Sequence, residues 1–174
     1  MKKTIIFLSL ILWGMLFLHC DEDVVVPASD PTPPTVKLSV IGIDDAPVLT
    51  QASDDAELTV GAFQRFTVMA TGTDPDGGLL NITLSFSQSV YYTLPGDEGG
   101  YGHGDGYKDN PAIARIGSTV PVTRAVAKAV SIREIRESVS DRATFTHLEL
   151  TYRAVAENFH DGETHSALLT IRHP

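Results

Sequence analysis

From Val36 onward the chain alternates apolar and polar residues with a period of two. Val36, Leu38 and Val40 are separated by Lys37 and Ser39, the pattern of a half-buried strand. Phe66, Val68 and Ala70 form one face of a second segment, and Leu80, Ile82, Leu84 and Phe86 form one face of a third. Between these two lies TGTDPDGG, where proline fixes φ and glycine permits positive φ, so the pair is predicted to be a hairpin. Near the C-terminus Leu148, Leu150, Tyr152, Ala154 and Ala156 alternate with His147, Glu149, Thr151, Arg153 and Val155; NFHDGET follows, and then Ala167, Leu169 and Ile171. This predicts a second, closing hairpin. Segment 120–139 fits two periods: Val122, Val126, Ala129 and Val130 suit a helix, and Val120, Val122, Val126, Val130 and Ile132 suit a strand face. We read a strand to about Ile132, then a short helix in IREIRESV opened by Ser131 and Glu134 as a capping box. Several strands without a long helix predict an all-β antiparallel sandwich.

Residues 1–34 show no such alternation. Lys2 and Lys3 precede an apolar stretch, Ile5 to Leu18, interrupted only by Ser9 and Gly14. That is short of the roughly 20 residues a spanning helix needs and has the order of a secretory signal. Cys20, the single cysteine, closes the stretch in FLHC and is followed by Asp21, Glu22 and Asp23. This resembles a bacterial lipoprotein signal over residues 1–19, with departures at Phe17 and His19, where that family carries small residues. The resemblance implies an acylated Cys20 that anchors the protein in the bacterial envelope, with the outer membrane as the expected site and a periplasmic or extracellular face. More than one acyl chain makes such an anchor stable. A plain secretory signal cut near Val26-Pro27-Ala28 is the alternative. Residues 20–34 then form a Pro-rich tether, which at ~3.1 Å per residue spans roughly 45 Å. A lipidated Cys20 leaves no thiol for a disulfide within the folded part.

The folded part, 35–174, carries a second resemblance. FTVMATGTDPDGGLLNITLSF is similar to the strand, Asp-Gly turn and strand unit of bacterial immunoglobulin-like, PKD-type and cadherin-like modules. YRAVAENFHDGETHSALLTIR is similar to their last two strands, with the Ala-x-Ala pairing. The resemblance implies an immunoglobulin-like β-sandwich and a role in adhesion, spacing or ligand presentation. The Cys…Trp…Cys pattern of antibody domains is absent, because Trp13 is the only tryptophan.

Charge narrows the partners. The 174 residues hold 13 Lys and Arg against 22 Asp and Glu, a formal charge of −9, which disfavours nucleic acid. Residues 21–110 hold 15 acids against 3 bases, and 111–174 hold 7 against 8. Asp44, Asp45, Asp54, Asp55, Glu57, Asp74 and Asp76 offer the hard oxygen donors that calcium collects six to eight at a time. Cadherin-like modules bind calcium through acids near strand ends, so that resemblance points to Asp74 and Asp76 as metal ligands. DPDGG lacks the remaining ligands of such sites, and a solvated turn is the preferred reading; no other cofactor is expected.

The most unusual segment is YYTLPGDEGGYGHGDGYKDNP, in which six of the eleven residues from Gly96 to Gly106 are glycine. It is expected to be a long exposed loop inserted in the sandwich. Tyr91, Tyr92, Tyr101, His103 and Tyr107 are its candidate ligand-binding residues, since tyrosine offers a flat apolar face and a hydroxyl suited to a glycan or an envelope protein. An insertion with no partner is the competing view. GGYGHGD misses the calcium-binding nonapeptide GGxGxDxUx by one position, since Gly104 holds the place of its Asp. HExxH, GxSxG, P-loop and Rossmann glycines are missing, so no catalytic residue is assigned and no enzyme is expected. The alternative is a small calcium- or other metal-dependent accessory enzyme or hydrolase of the envelope using His103, Asp105, Asp74 or Asp76.

Overall fold

The computed structural model describes residues 32–51, 54–75, 78–96, 99–111, 122–139 and 141–174. The signal, Cys20, residues 21–31 of the tether and Asp76 lie outside them. Among the described residues the strands are β1 (Thr35–Ile41), β2 (Val48–Thr50), β3 (Ala56–Thr59), β4 (Arg65–Asp74), β5 (Leu79–Thr93), β6 (Gly100–Pro111), β7 (Val122–Ser131), β8 (Thr144–Asn158), β9 (Glu163–His165) and β10 (Leu169–His173), with one helix, α1 (Ile132–Glu137). They form two sheets, one ordered β2-β1-β4-β7 and the other β3-β10-β8-β5-β6 with β9 beside β8. All pairs are antiparallel except β3 with β10. The architecture is an all-β, largely antiparallel sandwich, with strands distributed between two sheets.

Alternation places the core. Val36 and Leu38 of β1, Phe66, Val68 and Ala70 of β4, Ile82 and Leu84 of β5, Leu148, Leu150, Tyr152, Ala154 and Ala156 of β8 and Leu169 and Ile171 of β10 are all buried. Each large apolar side chain contributes about 1.5–3 kcal/mol by leaving water. At one end the sheets approach closely: a Cβ on Gly72 of β4 would lie 3.2 Å from both Ala156 Cβ and Ile82 Cδ1. Small residues at 72 and 156 set that spacing.

The closing hairpin is present, β8 returning through β9 to β10. Its turn is held by Asn158, whose Oδ1 accepts the backbone N–H of both His160 (3.0 Å) and Gly162 (2.6 Å), with Asp161 in the left-handed region at φ 61°. Segment 122–139 is strand followed by helix, as read. Ser131 caps α1 by accepting the Glu134 N–H at 3.4 Å. The Glu134 carboxylate instead reaches Arg65 on β4 at 3.2 Å, tying the helix to the first sheet.

Three expectations are corrected. β4 and β5 do not form a hairpin: they lie in different sheets, and the DPDGG segment carries the chain from one to the other. Alternation reports which face of a strand is buried, and both strands of a crossover satisfy it equally. Leu80 is 40 % exposed while Leu79 is fully buried, because the register shifts between Leu79 and Asn81 in the pairing of β5 with β8. The Gly/Tyr segment is not a loop. Gly100–Pro111 is a strand paired along β5, and the chain reverses before it, where Gly96 and Gly99 take φ of 83° and 119°.

Tyr152 sits at the centre of the core, fully buried, with the Phe86 ring 6.4 Å away. Burial pushes its hydroxyl well above the usual tyrosine range. The folded chain therefore keeps a proton that the unfolded chain releases above pH ~10. Stability from this group is complete below that pH and is lost as pH rises toward the folded value. Tyr152→Phe is expected to remove this loss: the gap between variant and parent urea midpoints shifts in the variant's favour from about pH 9 to about pH 11. A gap that stays constant over that interval contradicts the assignment.

Candidate functional site

Strand alternation gives the second sheet two faces of different chemistry. On the outer face stand Ser85, Ser87, Ser89 and Tyr91 of β5, Tyr101, His103, Asp105 and Tyr107 of β6, and His147, Glu149, Thr151 and Arg153 of β8. The ladder lines them up in rows: Tyr101 with Tyr91 and His147, then His103 with Ser89 and Glu149, then Asp105 with Ser87 and Thr151, then Tyr107 with Ser85 and Arg153. Side chains directly opposite on neighbouring strands lie about 4.5–5.5 Å apart at Cβ and interact.

The first row is a stack of three rings. Tyr91 lies parallel to His147 with centroids 3.9 Å apart and an interplanar angle of 11°. Tyr101 stacks on Tyr91 at 5.9 Å and 27° and is 66 % exposed at the sheet edge. Beside it runs a polar chain. Ser89 Oγ and His103 Nδ1 are 3.0 Å apart, and His103 Nε2 and Asp105 Oδ2 are 3.1 Å apart. With the proton on Nε2 donated to Asp105, Nδ1 accepts the Ser89 hydroxyl. The same row continues inward: Arg172 donates to Glu149 at 3.0 Å and to Glu57 of β3 at 2.7 Å. These carboxylates, Glu149 through its hydrogen bond first, raise the Arg172 guanidinium above its ordinary value.

The Ser89–His103–Asp105 chain has the residue types of a hydrolytic triad, but its surroundings oppose nucleophilic chemistry. Ser89 lies on an interior strand whose backbone is paired with β6 and β8 on both sides, so that strand itself offers no free backbone N–H to hold an oxyanion. The Glu149 carboxylate stands opposite Ser89 in the ladder, where developing negative charge is disfavoured.

The inner face of β6 is different. Gly100, Gly102, Gly104 and Gly106 occupy every second position, opposite Tyr92, Val90, Gln88 and Phe86. The Tyr92 and Phe86 rings fill the space over the outer two: a Cβ on Gly100 would come within 2.9 Å of Tyr92, and one on Gly106 within 2.6 Å of Phe86. Lys128 of β7 lies 3.8 Å above the Phe86 ring. Its ammonium is lowered from the ordinary value by burial and then by Lys108. Nothing stands near Gly102 or Gly104, and there a groove of about 560 Å³ opens, lined by Gln88, Val90, Tyr92, Leu94, Val139 and Ala143 among others.

Of the five Gly/Tyr-segment residues, Tyr91, Tyr101, His103 and Tyr107 thus share the outer face, and Tyr92 is separated from them on the inner one. The sequence reading missed Ser89 and His147. The alternation in SFSQSVY and in the β8 segment contained the signal for both. Asp74 and Asp76 are not brought together as a described site, since Asp76 lies outside the described residues. Asp74 is fully buried rather than solvated, and its Oδ1 accepts the Gly78 N–H at 3.2 Å, which shapes the crossover. Among the described residues no three His, Cys, Asp or Glu side chains gather as a metal site; His165 instead contacts Glu163.

No family model matches the sequence, and no curated protein matches it. Function therefore rests on the geometry.

Three of the β6 glycines are expected to respond differently to a methyl group. Gly106→Ala drives Cβ into Phe86 and is expected to destabilise the fold by about 1–3 kcal/mol. Gly102→Ala and Gly104→Ala, in open space and outside the positive-φ set, are expected to be neutral or to stabilise by up to ~1 kcal/mol through the unfolded chain. Urea denaturation of the three variants checks this ordering.

Proposed function

We propose that the protein is a lipid-anchored, non-catalytic binding module of the bacterial envelope, which presents the outer face of its larger sheet to a glycan or an envelope protein. The supporting observation is the ring stack ending at Tyr101, with hydrogen-bonding groups from His103, Asp105 and Ser89 alongside it. A sugar ring offers an apolar C–H face and a rim of hydroxyls. An exposed tyrosine face takes the first, and a carboxylate with an imidazole takes the second. Tyr91 and His147 hold Tyr101 from behind, so little side-chain entropy is lost on binding.

In this reading the anchor is acylated Cys20, supported by the FLHC sequence after an apolar stretch, and residues 21–34 give the domain reach. The hydrolase alternative draws on the Ser89–His103–Asp105 chain, against which stand the paired backbone and Glu149.

Tyr101→Ala is expected to weaken binding to responsive ligands on glycan and envelope-protein arrays about tenfold, for a loss of ~1.4 kcal/mol, with the melting temperature little changed. Arrays on which the parent binds nothing, or binding indifferent to Tyr101, would remove this face from the account. Mass spectrometry of protein extracted from membranes is expected to find an N-terminal Cys20 carrying acyl chains. An unmodified terminus elsewhere contradicts the anchor.

A further inference from the structure

We infer that the free edge of β6 is a self-association surface, on which a second copy of this chain adds its own β6 antiparallel about a two-fold axis through Gly104. Among the described residues the backbone of β6 pairs with β5 alone, while the Lys108 side chain donates to the Ala127 carbonyl of β7 at 3.3 Å. The unpaired edge of this twelve-residue strand runs through exposed residues from Tyr101 to Asp105. Natural edges of this kind are shortened, bulged or guarded by charge and proline. Here Lys108, Asp109 and Pro111 place such guards at one end only, and residues 101–105, 107 and 108 are all exposed. Tyr101 and Tyr107, at 66 % and 70 % exposure, are among the most exposed large apolar side chains described.

The occupant is named by the sequence of the edge. Tyr101-Gly102-His103-Gly104-Asp105-Gly106-Tyr107 is symmetric about Gly104, except that histidine on one side answers aspartate on the other. Antiparallel pairing about Gly104 puts His103 of each copy opposite Asp105 of the other, and Tyr101 opposite Tyr107. On the outer face this makes two imidazole–carboxylate hydrogen-bonding pairs and two aromatic pairs, the cross-strand combinations that stabilise a sheet. On the inner face it sets glycine against glycine at 102, 104 and 106, with Gly100 opposite Lys108, so no side chain obstructs the approach near the axis, where the two grooves beside Gly102 and Gly104 meet. Sliding the register by two residues, the smallest slip that keeps the faces aligned, breaks this correspondence. It sets His103 opposite His103 or Asp105 opposite Asp105. The symmetry is the isologous kind, in which one patch is its own partner. It also gives a reason for glycine at 102 and 104, each of which costs a strand roughly 0.5–1 kcal/mol relative to alanine.

The test is a cross-link at the axis. In the full chain purified in mild detergent, Gly104→Cys puts two thiols at opposed positions. Their Cα atoms would be about 4.5–5.5 Å apart, within disulfide range. Gly102→Cys, opposite Gly106, leaves its thiols roughly 13 Å apart along the strand. The expected result is a disulfide dimer for Gly104→Cys on a non-reducing gel and none above the background of the parent chain for Gly102→Cys. Sedimentation supplies the second arm. His103→Glu is expected to weaken the dimer at least tenfold, and His103→Glu combined with Asp105→Lys to restore it. Cross-linking at 104 no greater than at 102, or a dimer indifferent to His103→Glu, overturns the proposal. Neither arm contains a glycan or another partner, so its failure is distinct from failure of the binding reading.

Discussion

The structure depends on the pairing of two fifteen-residue strands, β5 and β8, along almost their whole lengths. A strand hydrogen-bonded on both sides has no freedom to rotate, so each residue is assigned to one face of the sheet by its parity alone. On β5 the even positions Ile82 and Leu84 enter the core, and the odd positions Ser85, Ser87, Ser89 and Tyr91 project outward. β8 repeats the division with Leu148, Leu150 and Tyr152 inside and His147, Glu149 and Thr151 outside. The stack of Tyr91 on His147 and the row from His103 to Arg172 are consequences of this register. A one-residue slip would exchange the core with the outer face.

β6 takes its order from that pair. Its even positions from 100 to 106 are glycine, so by themselves they bury nothing, and this part of the strand is held by its ladder to β5 and by rings lent from β5. Phe86 and Tyr92 supply over Gly106 and Gly100 the side-chain mass that β6 lacks, an arrangement known to stabilise glycine in sheets. Between those rings the inner surface is left hollow. The same composition that empties the inner face leaves the outer face rich in tyrosine, histidine and aspartate. One strand therefore separates packing from display unusually fully.

How much of this was legible depended on whether side chains announced the period. Leu148 through Ala156 alternate without interruption, and β8 is where they place it. Ser131 and Glu134 mark the junction of strand and helix correctly because an N-cap is a local interaction needing no tertiary partner. The crossover at DPDGG read as a hairpin because turn chemistry reverses or redirects a chain equally well, and which sheet a strand joins is decided by long-range pairing. Leu80 misled because a register shift at Leu79 inverts the alternation for one step. The glycine strand misled most. Gly100, Gly102, Gly104 and Gly106 have a strict period of two, yet glycine usually marks a break, and its strand partner was β5 rather than any feature of the segment itself. The rows of the outer face needed three strands in register, which no single segment reveals.

The edge and the face of this sheet offer separate surfaces, and their combination bears on anchoring. Antiparallel pairing about an axis normal to the sheet reverses every strand direction from one copy to the other, so the two Thr35 ends point opposite ways along the joined sheet. On the proposed anchoring through an acylated Cys20, such a pair would fit between two facing membranes more readily than upright on one. The outer face is extended in the process, since Tyr101 of each copy meets Tyr107 of the other and the ring row of one subunit continues toward Arg153 of its partner. Contact between copies thus enlarges the surface that a ligand meets, and a weak single site gains from repetition without a new contact inside either domain.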